Sequence, residues 1–242
     1  MRYSSKKWMV EREYLVMAII FMWIILVSAL TLMGSWYAKR YNQPDFLIVL
    51  FAVFTVFSNL AASKIATFHL GSADLFAPAV VLIFSVTFLL TDIVNEKFGR
   101  RETHRMIFIT FFAHVAVAIF SWLILSLPAA PFWNDQKALS SVIGVVPRII
   151  LASWIAFLVS ENLDAYIYDW FKRFTRGKHL WMRNAFSSLP SMIVDSILFV
   201  TIAFWGIQPI KPIIIGLIAI KWLVGIIDIP FMYLNRFILY KR

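Results

Sequence analysis

The chain has 242 residues, 61% of them hydrophobic and only 15% charged, with 23 basic and 13 acidic side chains for a net charge of +10. An ordinary soluble domain is about 25% charged; here the apolar excess sits in runs of about 20 residues, the length a helix needs to cross a bilayer. A soluble enzyme, a disordered tail and a nucleic-acid-binding domain are thereby excluded, and with no cysteine so are disulfides, thiolate metal sites and thiol catalysis.

Seven apolar segments follow in order: 14–36, 46–67, 76–96, 105–127, 146–170, 184–206 and 212–236. They are too long and too uniformly apolar for barrel strands. The expected fold class is an all-α integral membrane protein: a six-helix core over 44–242 and an accessory hydrophobic helix within 1–43. The first segment is preceded by Arg2, Lys6, Lys7 and Arg12. It is not read as a signal peptide, because it is too long and no small-residue cleavage site follows. The stretch 68–75 reads as a short loop. The stretch 128–145, with Pro128, Pro131, Trp133, Asn134 and Asp135, reads as a connector, with an interfacial helix as the other option.

Basic residues cluster in alternate loops. Lys39 and Arg40 precede the second segment; Lys97, Arg100, Arg101 and Arg105 follow the third. Lys172, Arg173, Arg176, Lys178 and Arg183 follow the fifth, and Arg236, Lys241 and Arg242 close the chain. The intervening loops hold only Lys137 and Lys211. By the positive-inside rule the core has both termini in the cytoplasm. The expected location is the inner or plasma membrane, multi-pass. The four N-terminal basic residues conflict with this if the first segment spans, so its orientation stays open.

Several polar side chains fall inside the apolar runs, where each ionisable group costs about 2.5–3.5 kcal/mol on insertion scales. Ser58, Asn59 and Lys64 lie in the second, and Ser85, Asp92, Asn95 and Glu96 in the third. His114 lies in the fourth, Glu161, Asn162 and Asp164 in the fifth. Asn184, Ser187, Ser188 and Asp195 lie in the sixth, Lys221 and Asp228 in the seventh. Their spacings are those of one helix face: Ser85, Asp92 and Glu96; Glu161, Asp164 and Tyr168; Asn184, Ser188 and Asp195; Lys221 and Asp228. Such stripes are unstable against lipid and build a polar cavity when they face each other. Asn95, Glu96 and Asp169, at helix ends beside basic loops, are read as salt-bridge partners. Lys64 either snorkels or joins the cavity, and His114 is read as a structural hydrogen bonder. The expected binding residues are Asn59, Asp92, Glu161, Asp164, Asn184, Ser188, Asp195 and Lys221, with no catalytic residue and no metal.

At an offset of 103, Ser58-Asn59-Leu60-Ala61-Ala62 matches Glu161-Asn162-Leu163-Asp164-Ala165, Ser85 matches Ser188 and Asp92 matches Asp195. The loop charges give the two halves opposite orientations. That is the form of an inverted 3+3 repeat with a site at its interface. No nucleotide-binding GxxxxGK[ST] loop, HExxH or GxSxG motif occurs.

The segments SNLAASK (58–64), TDIVNEKFGRR (91–101), ENLDAYIYDWF (161–171), NAFSSLPSMIVDSILFVTIAFWG (184–206) and KWLVGIIDIPFMY (221–233) occur in this order. Together they resemble the queuosine precursor transporter family, also called the vitamin uptake transporter family, over roughly 46–236. The resemblance implies six core helices and uptake of a 7-deazaguanine, such as 7-cyano-7-deazaguanine or its aminomethyl form. In an archaeon the same base would feed archaeosine. It implies a transporter acting alone, without cofactor, nucleic acid or enzymatic activity. A more distant resemblance is to the substrate-binding subunits of energy-coupling vitamin transporters, which need ATPase subunits. An intramembrane enzyme using Ser187 or Ser188 with His114, and a structural membrane protein, are the rival classes. The expected partners are the deazapurine and the bilayer; a homodimer, and an ATPase module if the chain is a binding subunit, are the candidate protein partners.

A guanine-like base presents N1–H and an exocyclic amine side by side, and a carboxylate can accept both. Glu161, Asp92 or Asp195 is expected to do so, while Asn59, Asn184 or Lys221 donates to O6 and N3. Phe54, Phe88, Phe199, Trp154 and Trp222 are the candidate walls for its flat faces.

Overall fold

The computed structural model describes the backbone of residues 2–70, 73–174 and 180–240; side chains are described from Ala18 onward, except at 70–72, 161, 164–165, 168–169, 171–188, 228–229, 232 and 240–242. The elements run in order α1 (Arg2–Tyr41), α2 (Asp45–Ala61), β1 (Ile65–Leu70), β2 (Ala73–Pro78), α3 (Val81–Phe98), α4 (Arg100–Ser126), α5 (Gln136–Ile143), α6 (Val146–Phe174), α7 (Leu180–Phe204) and α8 (Ile210–Tyr240). The chain is thus mostly helical. Among the described residues, Ala18–Tyr41, Arg100–Ser126, Gln136–Ser160 and Ile210–Ile227 are long and apolar enough to cross a membrane. Asp45–Ala61 and Leu189–Phe204 are apolar but shorter.

Two departures from the expected elements concern the connectors. The second apolar run does not continue as a helix to residue 67. It ends at Ala61, and residues 65–78 form an antiparallel hairpin with Ile65 opposite Pro78 and Leu70 opposite Ala73. The β-branched and aromatic residues Ile65, Thr67, Phe68 and Phe76 suit a strand, and pairing satisfies backbone groups that a loop would leave open. The connector at 128–145 contains the short helix α5, preceded by the highly exposed Phe132 and by Trp133. Such an aromatic pair fits a membrane interface.

Two apolar clusters hold the bundle. One, at the hairpin end, joins Ala62, Ala77 and Val80 to Ile149, Ala152, Val200, Phe204, Ile213 and Leu217. The other, at the opposite end, joins Ala38, Leu47, Phe51, Leu90, Ile93, Met106 and Leu239. The buried stripe of α2 shows the pattern between them. Leu47 and Phe51 lie in the second cluster, and Thr55 and Asn59 follow at the same four-residue spacing. A polar layer therefore lies between two apolar ones.

The accessory helix reaches both ends. Trp23 packs against the hairpin-end cluster and Ala38 belongs to the other. Ser35 donates a 2.7 Å hydrogen bond to Asn235 of α8, and both side chains are fully buried. α1 thus crosses the bundle antiparallel to α2.

Candidate functional site

Lys221 of α8 donates to the Asp195 carboxylate of α7. The two side chains are 4% and 9% exposed, and among the described residues each is the other's charge partner. The ammonium also sits 5.6 Å from the centre of the Phe84 ring of α3, a cation–π distance. Opposite this pair, Asn59 of α2 and His114 of α4 are bonded through Nδ2 and Nε2 at 2.9 Å, both buried.

Two adjoining cavities flank these pairs. The charged chamber is lined by Ser58, Asn59, Phe84, Phe199, Asp195 and Lys221, with Ala62 and Pro78 at the hairpin end. The aromatic chamber is lined by Phe88, Trp154 and Phe157 with Thr55, Thr110 and His114. Phe84 and Ser153 line both. Six helices contribute: α2, α3, α4, α6, α7 and α8. Three buried polar atoms here have no hydrogen-bond partner among the described residues: Ser58 Oγ, Thr110 Oγ1 and His114 Nδ1.

Of the expected site residues, the structure brings together Asn59, Asp195 and Lys221. Asp92 is exposed and lines neither chamber. The side chains of Glu161, Asp164, Asn184 and Ser188, like those of Asp169, Ser187 and Asp228, lie outside the described residues. The offset of 103 pairs residues in unlike surroundings. Asn59 is buried against His114, whereas Asn162 is exposed and bonds the Leu158 carbonyl of its own helix. Asp92 is exposed whereas Asp195 is buried against Lys221, and Ser85 returns its hydroxyl to Val81. Glu96 pairs with Arg236 at 3.0 Å, the helix-end role expected of it. Lys64 is exposed at the turn into the hairpin.

Among the expected aromatic walls, Phe88, Trp154 and Phe199 line the chambers. Phe54 instead packs against the second apolar cluster, and Trp222 is 37% exposed. Phe84, Phe157, Thr110 and Ser153 escape sequence reasoning, because one more phenylalanine or hydroxyl in an apolar run carries no signal of which way it faces. His114 does make a structural hydrogen bond through Nε2, while its Nδ1 has no well-formed bond among the described residues.

The family profile described as "Putative vitamin uptake transporter" matches residues 78–235, which carry Asp195, Lys221 and His114. The chain belongs to this vitamin uptake transporter family. A Bacillus subtilis relative named "Probable queuosine precursor transporter" is 31% identical over 186 residues, covering 74% of this chain and 78% of that protein. The "Queuosine precursor transporter" of Escherichia coli is 30% identical over 122 residues, 50% of this chain and 52% of its own. A Haemophilus influenzae protein named "Probable queuosine precursor transporter" is 27% identical over 124 residues, about half of each chain. No solved structure matches this member of the vitamin uptake transporter family. Membership and the apolar helices make the chain a multi-pass membrane protein.

Proposed function

We propose that this protein imports a queuosine precursor, a 7-deazaguanine such as 7-cyano-7-deazaguanine, by alternating access and without covalent chemistry. The observation that carries the reading is the buried polar layer: an ion pair and an amide–imidazole pair, between aromatic walls, at the meeting of six helices. Lipid cannot sustain such a layer, so it serves either packing or a polar cargo. The unpartnered Ser58 hydroxyl and the aromatic lining favour a cargo with flat faces and hydrogen-bonding edges. The names of the relatives supply the class of cargo.

In this reading the chain crosses the membrane seven times, as the six core helices α2, α3, α4, α6, α7 and α8 plus α1. The N1–H and amine of the base take the place of the Lys221 ammonium on Asp195, and Lys221 turns to O6. The carboxylate thus exchanges one donor partner for two and is never left bare. Pro190 in α7 and Pro230 in α8 each remove one backbone hydrogen bond, giving the two helices that carry the ion pair places to bend.

The test is complementation. A host unable to make the precursor, given 7-cyano-7-deazaguanine and this chain alone, regains the modified tRNA base. No recovery overturns the reading. Recovery only with added ATPase subunits replaces it with that of a binding subunit in an energy-coupling transporter.

A further inference from the structure

Helical threonines at buried positions usually return their hydroxyl to a carbonyl one turn back. Buried Thr31, Thr55 and Thr87 all do so here. Thr110 does not. It is 1% exposed, and its hydroxyl has no partner among the described residues. Four residues on, on the same face of α4, His114 is 3% exposed. Its Nε2 accepts from the Asn59 amide, which places the imidazole proton on Nδ1. The Thr55 backbone interacts with the ring, but no group among the described residues meets hydrogen-bond geometry at Nδ1. Both open atoms belong to side chains lining the aromatic chamber. A buried hydroxyl and a buried ring nitrogen without a well-formed bond among the described residues are each destabilising, and both side chains line one aromatic-walled cavity.

We propose that Thr110 and His114 form a hydrogen-bonding subsite for the edge of a flat heteroaromatic base that presents a ring-nitrogen acceptor beside an N–H donor. The inference rests on the transport reading, in which Asp195 takes the edge with two adjacent donors. In a 7-deazaguanine the remaining pair is N3, which accepts from His114 Nδ1, and N9–H, which donates to the Thr110 hydroxyl. Phe88, Trp154 and Phe157 surround the ring. The Asn59 amide is a positioning group: it fixes the tautomer that makes Nδ1 a donor.

The experiment measures binding of 7-cyano-7-deazaguanine and of its 9-methyl derivative to the purified full chain, alongside the melting temperature without ligand. Thr110→Val keeps the shape and removes the orphaned hydroxyl. Its melting temperature should equal or exceed that of the parent, whereas binding of 7-cyano-7-deazaguanine weakens about tenfold. Thr110→Ser should recover most of that loss. In the parent the 9-methyl derivative binds at least about tenfold worse than 7-cyano-7-deazaguanine, and in Thr110→Val that gap narrows, because both changes remove the same bond. Unchanged binding by Thr110→Val, or a 9-methyl gap of the same size in both proteins, overturns the subsite alone. A fall in melting temperature with Thr110→Val also overturns it, since the hydroxyl is then structural. No binding of 7-cyano-7-deazaguanine by the parent overturns the transport reading, and the subsite with it.

Discussion

At Asp195 and Lys221 the energetics are asymmetric. Removing one member of a buried ion pair leaves the other uncompensated, at a cost of about 3–5 kcal/mol, whereas replacing both by apolar groups is often close to neutral. Lys221→Met and Asp195→Leu should therefore each lower the melting temperature markedly, and the double variant should recover most of the loss. Uptake should fail in all three, because a restored fold does not restore a carboxylate for the base edge. Uptake by the double variant would remove the pair from the site. The contrast is Glu96, which is partly exposed and pairs with the exposed Arg236. Such a pair is worth at most about 1 kcal/mol, and Glu96→Gln should leave melting and uptake nearly unchanged.

Among the elements, the hairpin explains how a helix of only 17 residues serves in a membrane bundle. α2 spans about 26 Å at 1.5 Å per residue, short of the roughly 30 Å hydrocarbon core. Strands β1 and β2 extend the element, and non-helical backbone is tolerated at that depth only where protein covers it. α8 provides the cover. A Cβ at Gly216 would lie 2.1 Å from the Phe76 carbonyl oxygen and 2.7 Å from its backbone nitrogen, so only glycine permits this approach. Gly216→Val should separate α8 from the hairpin and cost about 1–3 kcal/mol, measured as a lower melting temperature. Because Pro78 and Leu217 also line the charged chamber, uptake should fall with it. At the same end Arg148 donates to the carbonyls of Ile202 and Trp205 at 2.7 and 2.8 Å, closing the C-terminus of α7. Arg148→Leu should destabilise by about 1.5–3 kcal/mol for the charged hydrogen bonds lost.

For the whole molecule, the two ends of the bundle differ in charge and in structure. The hairpin lies at one end of the bundle, and the basic junction of α3 and α4, with Arg100 as the first residue of α4, at the other. Cysteine in place of His69 should react with a membrane-impermeant thiol reagent in intact cells, and cysteine in place of Arg100 should not. The chain has no native cysteine to interfere. The reverse pattern would invert the topology. Because α1 runs antiparallel to α2 across both apolar clusters, the same orientation places residues 2–12 outside. An N-terminal epitope tag should then be reached by antibody without permeabilising the cells, against the local charge rule.

Hydropathy and charge alone were enough for the helical membrane class, most helix positions and the expectation of a buried polar site, since apolar runs of spanning length and their flanking charges are local properties of the chain. The segments resembling the family were equally legible, because short motifs need no geometry. What required the tertiary structure was which polar residues meet. Asp92 and Asp195 look alike on their helices, yet one is exposed and the other is bound to Lys221, since facing is set by how α3 and α7 pack and not by their spacing. The hairpin was hidden because an apolar run ending in Ile65, Thr67 and Phe68 satisfies helix and strand alike until Ala73–Pro78 is there to pair with it. Thr110 was hidden for a related reason: a threonine in an apolar helix normally satisfies itself, and only its neighbours in space reveal that this one does not.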